Sequence, residues 1–203
     1  QLILPIGEWV LATAAAQLAA WRAAGVPPLR MAINLSARQF QDQALPEKVR
    51  YALQAMKIEP SAIELEITES SVLRQSDQPL EMLHRLRAIG VNIAIDDFGT
   101  GYSNLGTLKQ YPFARLKIDR LFIRDTPDSA EASAIVCAIL AMADALKLTV
   151  VAEGVETAEQ YAYLLAQGCA EVQGYYTGHP VAAEVLQRQL LGSMRPARST
   201  LAG

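Results

Sequence analysis

Six short apolar runs recur along this chain, and nearly all close in a polar residue, while longer Ala/Leu-rich stretches separate them. Arg30 to Ser36 is a short buried run that ends in Asn34 and Ser36. Ile63 to Glu69 alternates, with Glu64, Glu66 and Thr68 on one face. Ile93-Ala94-Ile95 stops at the adjacent carboxylates Asp96 and Asp97. Ala114 to Asp119 carries Lys117, Leu148 to Ala152 leads into Glu153, and Ala170 to Gly174 carries Gln173.

The stretches between these runs have helical spacing and helical punctuation. The first runs from Pro5 and Gly7 through Trp21, and Gly25-Val26-Pro27-Pro28 stops it. Others cover Pro46 to Met56, Leu80 to Ile89, a short piece through Leu105 and Leu108, Ser129 to about Leu146, Thr157 to near Gly168, and Val181 to Leu191. Strand–helix alternation of this kind predicts parallel strands with right-handed crossovers. An open doubly wound sheet and a closed barrel both satisfy it. The barrel is favoured, because an open sheet gathers its polar residues at one switch point and here they stand at nearly every strand end. The expected fold is therefore α/β, a TIM-like (β/α) barrel with six of its strands in this chain.

Composition narrows the class. A chain of 203 residues that is 51% hydrophobic fits one domain spanning 1–203, with a loose tail over 193–203. A net charge of -3 argues against binding of a DNA or RNA polymer, which needs a concentrated basic face. Cys137 and Cys169 are too few for a disulfide framework and read as buried reduced thiols of a cytoplasmic protein. The segment from Leu2 to Ala24 comes nearest to a membrane span, but Glu8, Gln17 and Arg22 make it read as an amphipathic helix, so no membrane insertion is expected. The first residue is Gln with no signal-peptide pattern behind it, which suggests a piece of a longer polypeptide.

The strand ends carry the chemistry. Carboxylates after buried runs are costly unless paired or coordinated. Several carboxylates with an amide oxygen form a hard-oxygen site for Mg²⁺ or Mn²⁺ rather than zinc, and neither His84 nor His179 stands at a strand end. A carboxylate shared between two ions suits hydrolysis of a phosphodiester. Lys117 among acids stays protonated and suits a water or a phosphate oxygen. The loop Gly99-Thr100-Gly101 begins directly after the acidic pair and can cradle phosphate. Arg115, Arg120 and Arg124 read as solvated faces or surface pairs.

Asn34-Leu35-Ser36, Glu66-Ile67-Thr68-Glu69, Asp96-Asp97-Phe98-Gly99-Thr100-Gly101-Tyr102-Ser103, Lys117-Ile118-Asp119, Glu153-Gly154-Val155-Glu156-Thr157 and Gln173-Gly174-Tyr175, taken together and in this order, closely resemble the EAL-domain phosphodiesterases of bacterial cyclic di-GMP signalling. The resemblance implies a modified TIM barrel that hydrolyses cyclic di-GMP to linear pGpG with Mg²⁺ or Mn²⁺, two ions in all. It makes Asn34, Glu66, Asp96 and Glu153 ligands of one ion and turns Asp97 to the second. It gives Lys117 the positioning of the attacking water, Glu153 the role of general base, and Gln173 a place beside the water network of the site. Glu69 anchors the loop after Asp97, which the family links to dimerisation, and Glu156 reaches toward substrate. A homodimer and fusion to sensor or GGDEF-type domains in a cytoplasmic or membrane-attached signalling protein are further implications.

One feature departs from the family. No Glu-Ala-Leu triplet occurs in this sequence, and the family uses its Glu as a metal ligand. Six strands of an eight-stranded barrel leave two open edges, a liability unless something covers them. An inactive cyclic di-GMP-binding or dimerisation module is the alternative reading, and a barrel glycosidase with paired carboxylates is a remote third.

Overall fold

The computed structural model describes residues 2–72, 78–101, 105–169 and 171–193. Six strands form one sheet: β1 (Met31–Leu35), β2 (Ile63–Thr68), β3 (Asn92–Phe98), β4 (Arg115–Ile118), β5 (Thr149–Glu153) and β6 (Glu171–Gln173). They lie side by side in chain order, and every neighbouring pair is parallel. The helices in chain order are α1 (Ile3–Ala23), α2 (Ala37–Phe40), α3 (Leu45–Met56), α4 (Glu69–Val72), α5 (Gln78–Ile89), α6 (Leu105–Gln110), α7 (Arg120–Ile123), α8 (Ala130–Ala145), α9 (Ala158–Ala166) and α10 (Ala183–Ser193).

The sheet is curled into a half-barrel. Neighbouring parallel strands lie about 4.8 Å apart, so a flat sheet would hold β2 and β6 roughly 19 Å from one another. Yet a single side chain of β4, Arg115, contacts Glu64 on β2 and Glu171 on β6. Only curvature about β4 allows that reach.

Alternation along the strands sorts the two faces. Ile63, Leu65, Ile67, Ile93, Ile95, Leu116 and Ile118 are fully buried and join the core under the helices. Each contributes about 1.5–3 kcal/mol by leaving water. Their neighbours Glu64, Glu66, Asp96, Arg115 and Lys117 point the other way, into the barrel, and are buried as well. β2 is therefore buried on both faces, as parallel barrel strands are. The alternation of Ile63 to Glu69 separates core from barrel interior.

α1 packs through Leu11, Ala15, Leu18 and Trp21, spaced at helical intervals. Ile6 and Trp9 are exposed, so its apolar surface extends beyond that stripe, and by length and composition the helix could cross a membrane. The single-turn helices α2, α4 and α7 have no counterpart in the sequence reading. Ser36, read as the end of the first strand, caps α2 in a reciprocal pair with Gln39. Ser129 caps α8, and Thr157 with Gln160 makes a second capping box at α9. Of the two thiols expected to be buried, Cys169 is, whereas Cys137 on α8 is half-buried. Ala170 and residues 194–203 of the expected last strand and tail lie outside the described residues.

Candidate metal centre and active site

The carboxyl ends of β2, β3, β4 and β5 meet around one ammonium group. Lys117 Nζ lies 2.8 Å from Glu66 Oε1, 2.7 Å from Glu153 Oε1 and 3.1 Å from Asp96 Oδ1. Alternation aims all four side chains inward from separate strands. Burial works against the charge on Lys117, but the hydrogen bonds it donates to Glu153 and Glu66, together with their charges, outweigh it, and the lysine is held well above its usual range as a permanent cation. Burial, with the charges of Asp96 and Glu66, also raises Glu153 against the pull of the lysine beside it.

Asp96 and Asp97 are adjacent, and a regular strand would turn them to opposite faces. The backbone solves this at Asp97, which adopts the left-handed conformation at φ +54°. That conformation costs roughly 1–2 kcal/mol for most residues, and Asp is among those that tolerate it best. The pairing of β3 with β4 shifts register between Ile95 and Phe98 at the same point. As a result, Asp96, Asp97 and Glu153 each offer an oxygen within 4.8 Å of the others. Burial, the charge of Asp96, and then Asp119, with which it shares a hydrogen bond, raise the Asp97 carboxyl.

This donor set fits a divalent cation. Ionised Glu66, Asp96, Asp97 and Glu153 outnumber Lys117 by three charges. Asp96 Oδ1 is buried and accepts no hydrogen bond from the described residues, since Lys117 lies close to it without the alignment to donate. A buried carboxylate oxygen that accepts no hydrogen bond, in a cluster of carboxylates, suits a hard cation such as Mg²⁺ or Mn²⁺.

The loop after Asp97 is anchored from below. Glu69, at the start of α4 and almost wholly buried, accepts the Gly99 N–H through Oε2 at 2.9 Å. Thr100 folds back, donating its hydroxyl to the Asp97 carbonyl at 2.8 Å. Gly99 takes φ +98°, and a Cβ there would stand 2.6 Å from the Phe122 ring. A Cβ on Gly101 would stand 2.8 Å from Glu69 Oε1, so both glycines serve the close approach. Tyr102, Ser103 and Asn104 of this motif lie outside the described residues.

The other expected residues border the cluster without touching it. Asn34 is paired in register with Glu66, and Gln173 with Glu153, so both stand level with it on the neighbouring strands, and both are exposed. Glu156 is exposed on the loop after β5, where its backbone N–H is bound by Gln160. Two features escaped the sequence reading. Asp119, which also caps α7 through the Leu121 N–H at 2.7 Å, sits against Asp97. Arg115, read as a surface residue, is instead buried inside the barrel. Its spacing of two from Lys117 on one strand was the available signal. Arg120 and Arg124 are exposed, as expected, and Arg124 pairs with Asp125.

Comparison with known proteins agrees with this geometry. The family model described as the EAL domain matches residues 1–180. The bifunctional diguanylate cyclase/cyclic di-GMP phosphodiesterase MucR of Pseudomonas aeruginosa is 47% identical over 193 residues, covering 95% of this chain and 28% of that protein. The solved PaMucR phosphodiesterase, a c-di-GMP complex, superposes with a TM-score of 0.87 at 47% identity, over 91% of this chain and 75% of that one. Klebsiella pneumoniae BlrP1, solved as a manganese/cy-diGMP complex, gives a TM-score of 0.77 at 31% identity, over 85% of this chain and 43% of that one. The chain spans about a quarter of the length of the curated relatives it matches. With six motifs in order, a half-barrel of parallel strands and an acidic cluster at their carboxyl ends, this chain belongs to the EAL-domain family.

Proposed function

We propose that this domain hydrolyses cyclic di-GMP to linear pGpG, with Mg²⁺ or Mn²⁺ as cofactor and two ions at the site. The observation that carries the reading is the Lys117 ammonium ringed by Glu66, Asp96 and Glu153, with a buried Asp96 oxygen left without a hydrogen bond. Asn34, Glu66, Asp96 and Glu153 would hold one cation, and Asp97, backed by Asp119, the other. Such ions supply charge stabilisation at the phosphoryl oxygens and a more acidic water.

The protein's own part follows from its side chains. Glu153, raised by its burial, takes the proton of the attacking water as general base. Lys117, a fixed cation, orients that water and neutralises a phosphate oxygen as charge builds. The water oxygen bonds to phosphorus, one ester P–O bond breaks, and the departing oxygen takes up a proton, leaving a linear dinucleotide. Glu69 holds the Gly99 backbone, and with it the loop through Thr100 and Gly101, at the mouth of the site where substrate phosphate enters. Gln173 borders the water network, and exposed Glu156 faces the substrate at the mouth.

The same reading takes residues 1–203 as a single EAL domain of a dimeric, cytoplasmically oriented signalling polypeptide, fused to sensor or GGDEF-type domains. The greater length of the relatives and the bifunctional name of one of them support it. The test is cleavage of cyclic di-GMP by the whole natural polypeptide with Mn²⁺, followed by chromatography. Formation of pGpG is expected, with a loss of about 10²–10⁴-fold in Glu153→Gln. Binding of the dinucleotide without turnover would overturn the assignment in favour of a receptor module.

A further inference from the structure

Beneath the cluster of acids lies a second charged layer, on the same inward faces and two residues earlier on three strands. Arg115 stands below Lys117 on β4, Glu64 below Glu66 on β2, and Glu171 below Gln173 on β6. Arg115 Nε lies 3.2 Å from Glu64 Oε2, and its two terminal nitrogens fork onto the two oxygens of Glu171. Arg30 completes the layer at 3.5 Å from Glu64. Arg115 and Glu64 keep only 10% and 5% of their side-chain surface in water. On the strand between them, Ala94 pairs in register with both Glu66 and Arg115, and its small side chain leaves room for the guanidinium to cross. A cavity of about 410 Å³ connects the layers, lined by Glu64, Arg115 and Glu171 below and by Glu66, Lys117 and Gln173 above.

We propose that Arg115 is a positioning residue for the phosphodiester site above it, an inference that rests on the function proposed for that site. A bidentate Arg–carboxylate fork fixes direction as well as distance, which a lysine at the same place cannot do. Through Glu171 it ties down β6, a three-residue strand at the edge of the sheet, and so fixes where Gln173 meets Glu153. Through Glu64 it fixes the pitch of β2, and so the approach of Glu66 to Lys117. One buried side chain thus sets three of the inward positions that surround the reacting phosphate. Displacements of about 1 Å in such a shell cost up to ~10²-fold in rate.

The test compares wild type, Arg115→Met, Arg115→Lys and Glu171→Gln in the whole natural polypeptide. The readouts are kcat and KM for cyclic di-GMP cleavage, Mn²⁺ affinity by calorimetry, and the thermal midpoint. Arg115→Met is expected to lower kcat and weaken Mn²⁺ binding by about tenfold, the low end for residues that support metal ligands, with KM within twofold. Arg115→Lys recovers part of the loss, and Glu171→Gln gives a smaller loss in kcat without a change in midpoint. A folded Arg115→Met with wild-type kcat and Mn²⁺ affinity overturns the proposal. Should that variant fail to fold, Glu171→Gln decides alone, and wild-type kcat in it overturns the proposal. If wild type itself cleaves nothing, the functional reading fails, while the Mn²⁺ affinities of the variants still decide the role of Arg115.

Discussion

The barrel interior holds two charged layers that share β2, β4 and their inward direction yet differ in charge balance and in burial, for Arg30 and Glu171 of the lower one keep 39% and 41% of their side-chain surface in water. In the lower one, Arg30 and Arg115 meet Glu64 and Glu171, and positive matches negative. In the upper one, Lys117 alone faces Glu66, Asp96 and Glu153, with Asp97 close by. A buried ion pair roughly balances its desolvation when charges match and hydrogen bonds are complete. The lower layer matches its charges within itself. The upper layer is short of positive charge and leaves a buried oxygen without a hydrogen bond from the described residues, which suits a bound cation.

The largest effect that would break this contrast is expected from Lys117→Met. It removes the one cation of the upper layer, and without divalent metal it should destabilise the fold by about 3–5 kcal/mol, as breaking a buried ion pair does. Turnover should fall by roughly 10³-fold at saturating Mn²⁺. Denaturant titration with and without metal, beside steady-state kinetics, checks both. Next in size is the response to metal itself. Mn²⁺ at one hundred times its dissociation constant should add about 2.7 kcal/mol per bound ion to the unfolding free energy, and Asp96→Ala should abolish the share of the ion that Asp96 would hold. Calorimetric melts with and without chelator measure it, and an equal gain in both proteins would place the ion elsewhere.

A smaller effect is expected at the loop. Gly99→Ala must hold φ +98° and meet the Phe122 ring, so a loss of about 1–2 kcal/mol is expected, with weaker turnover through the Glu69 contact. Urea unfolding and kinetics separate the two. The least effect concerns the thiols, which lie outside both layers. Burial raises the Cys169 thiol, so near pH 8 its thiolate fraction lies below that of a free cysteine, and it rises only at higher pH. Ellman's reagent should titrate one thiol, Cys137, in the native protein and two after denaturation, and rapid reaction of both in the native state would contradict the packing of Cys169.

Much of the upper layer was legible in the sequence because it follows from period-two alternation at strand ends. Asp96 and Glu153 close apolar runs, Glu66 and Lys117 stand at alternate positions near the ends of theirs, and all four converge. Asp97 was legible as half of an acidic pair that closes its strand, but the way it turns toward the site depends on a left-handed backbone that no residue pattern shows. The lower layer was missed at Arg115 because a charge early in a strand looks like surface until the sheet curls over it. The short helices α2, α4 and α7 were missed because four residues hold barely one turn and so no period. Six strands in sequence order were read correctly, since each is an apolar run between helices with clear starts and stops.

The most direct test of the uncompensated upper layer is anomalous scattering from crystals grown with Mn²⁺. The expected result is manganese at the carboxyl ends of β3 and β5, one peak beside Asp96 and Glu153 and a second beside Asp97. No peak at the carboxyl ends of β3 and β5 at saturating Mn²⁺, or peaks only at surface carboxylates, would contradict it.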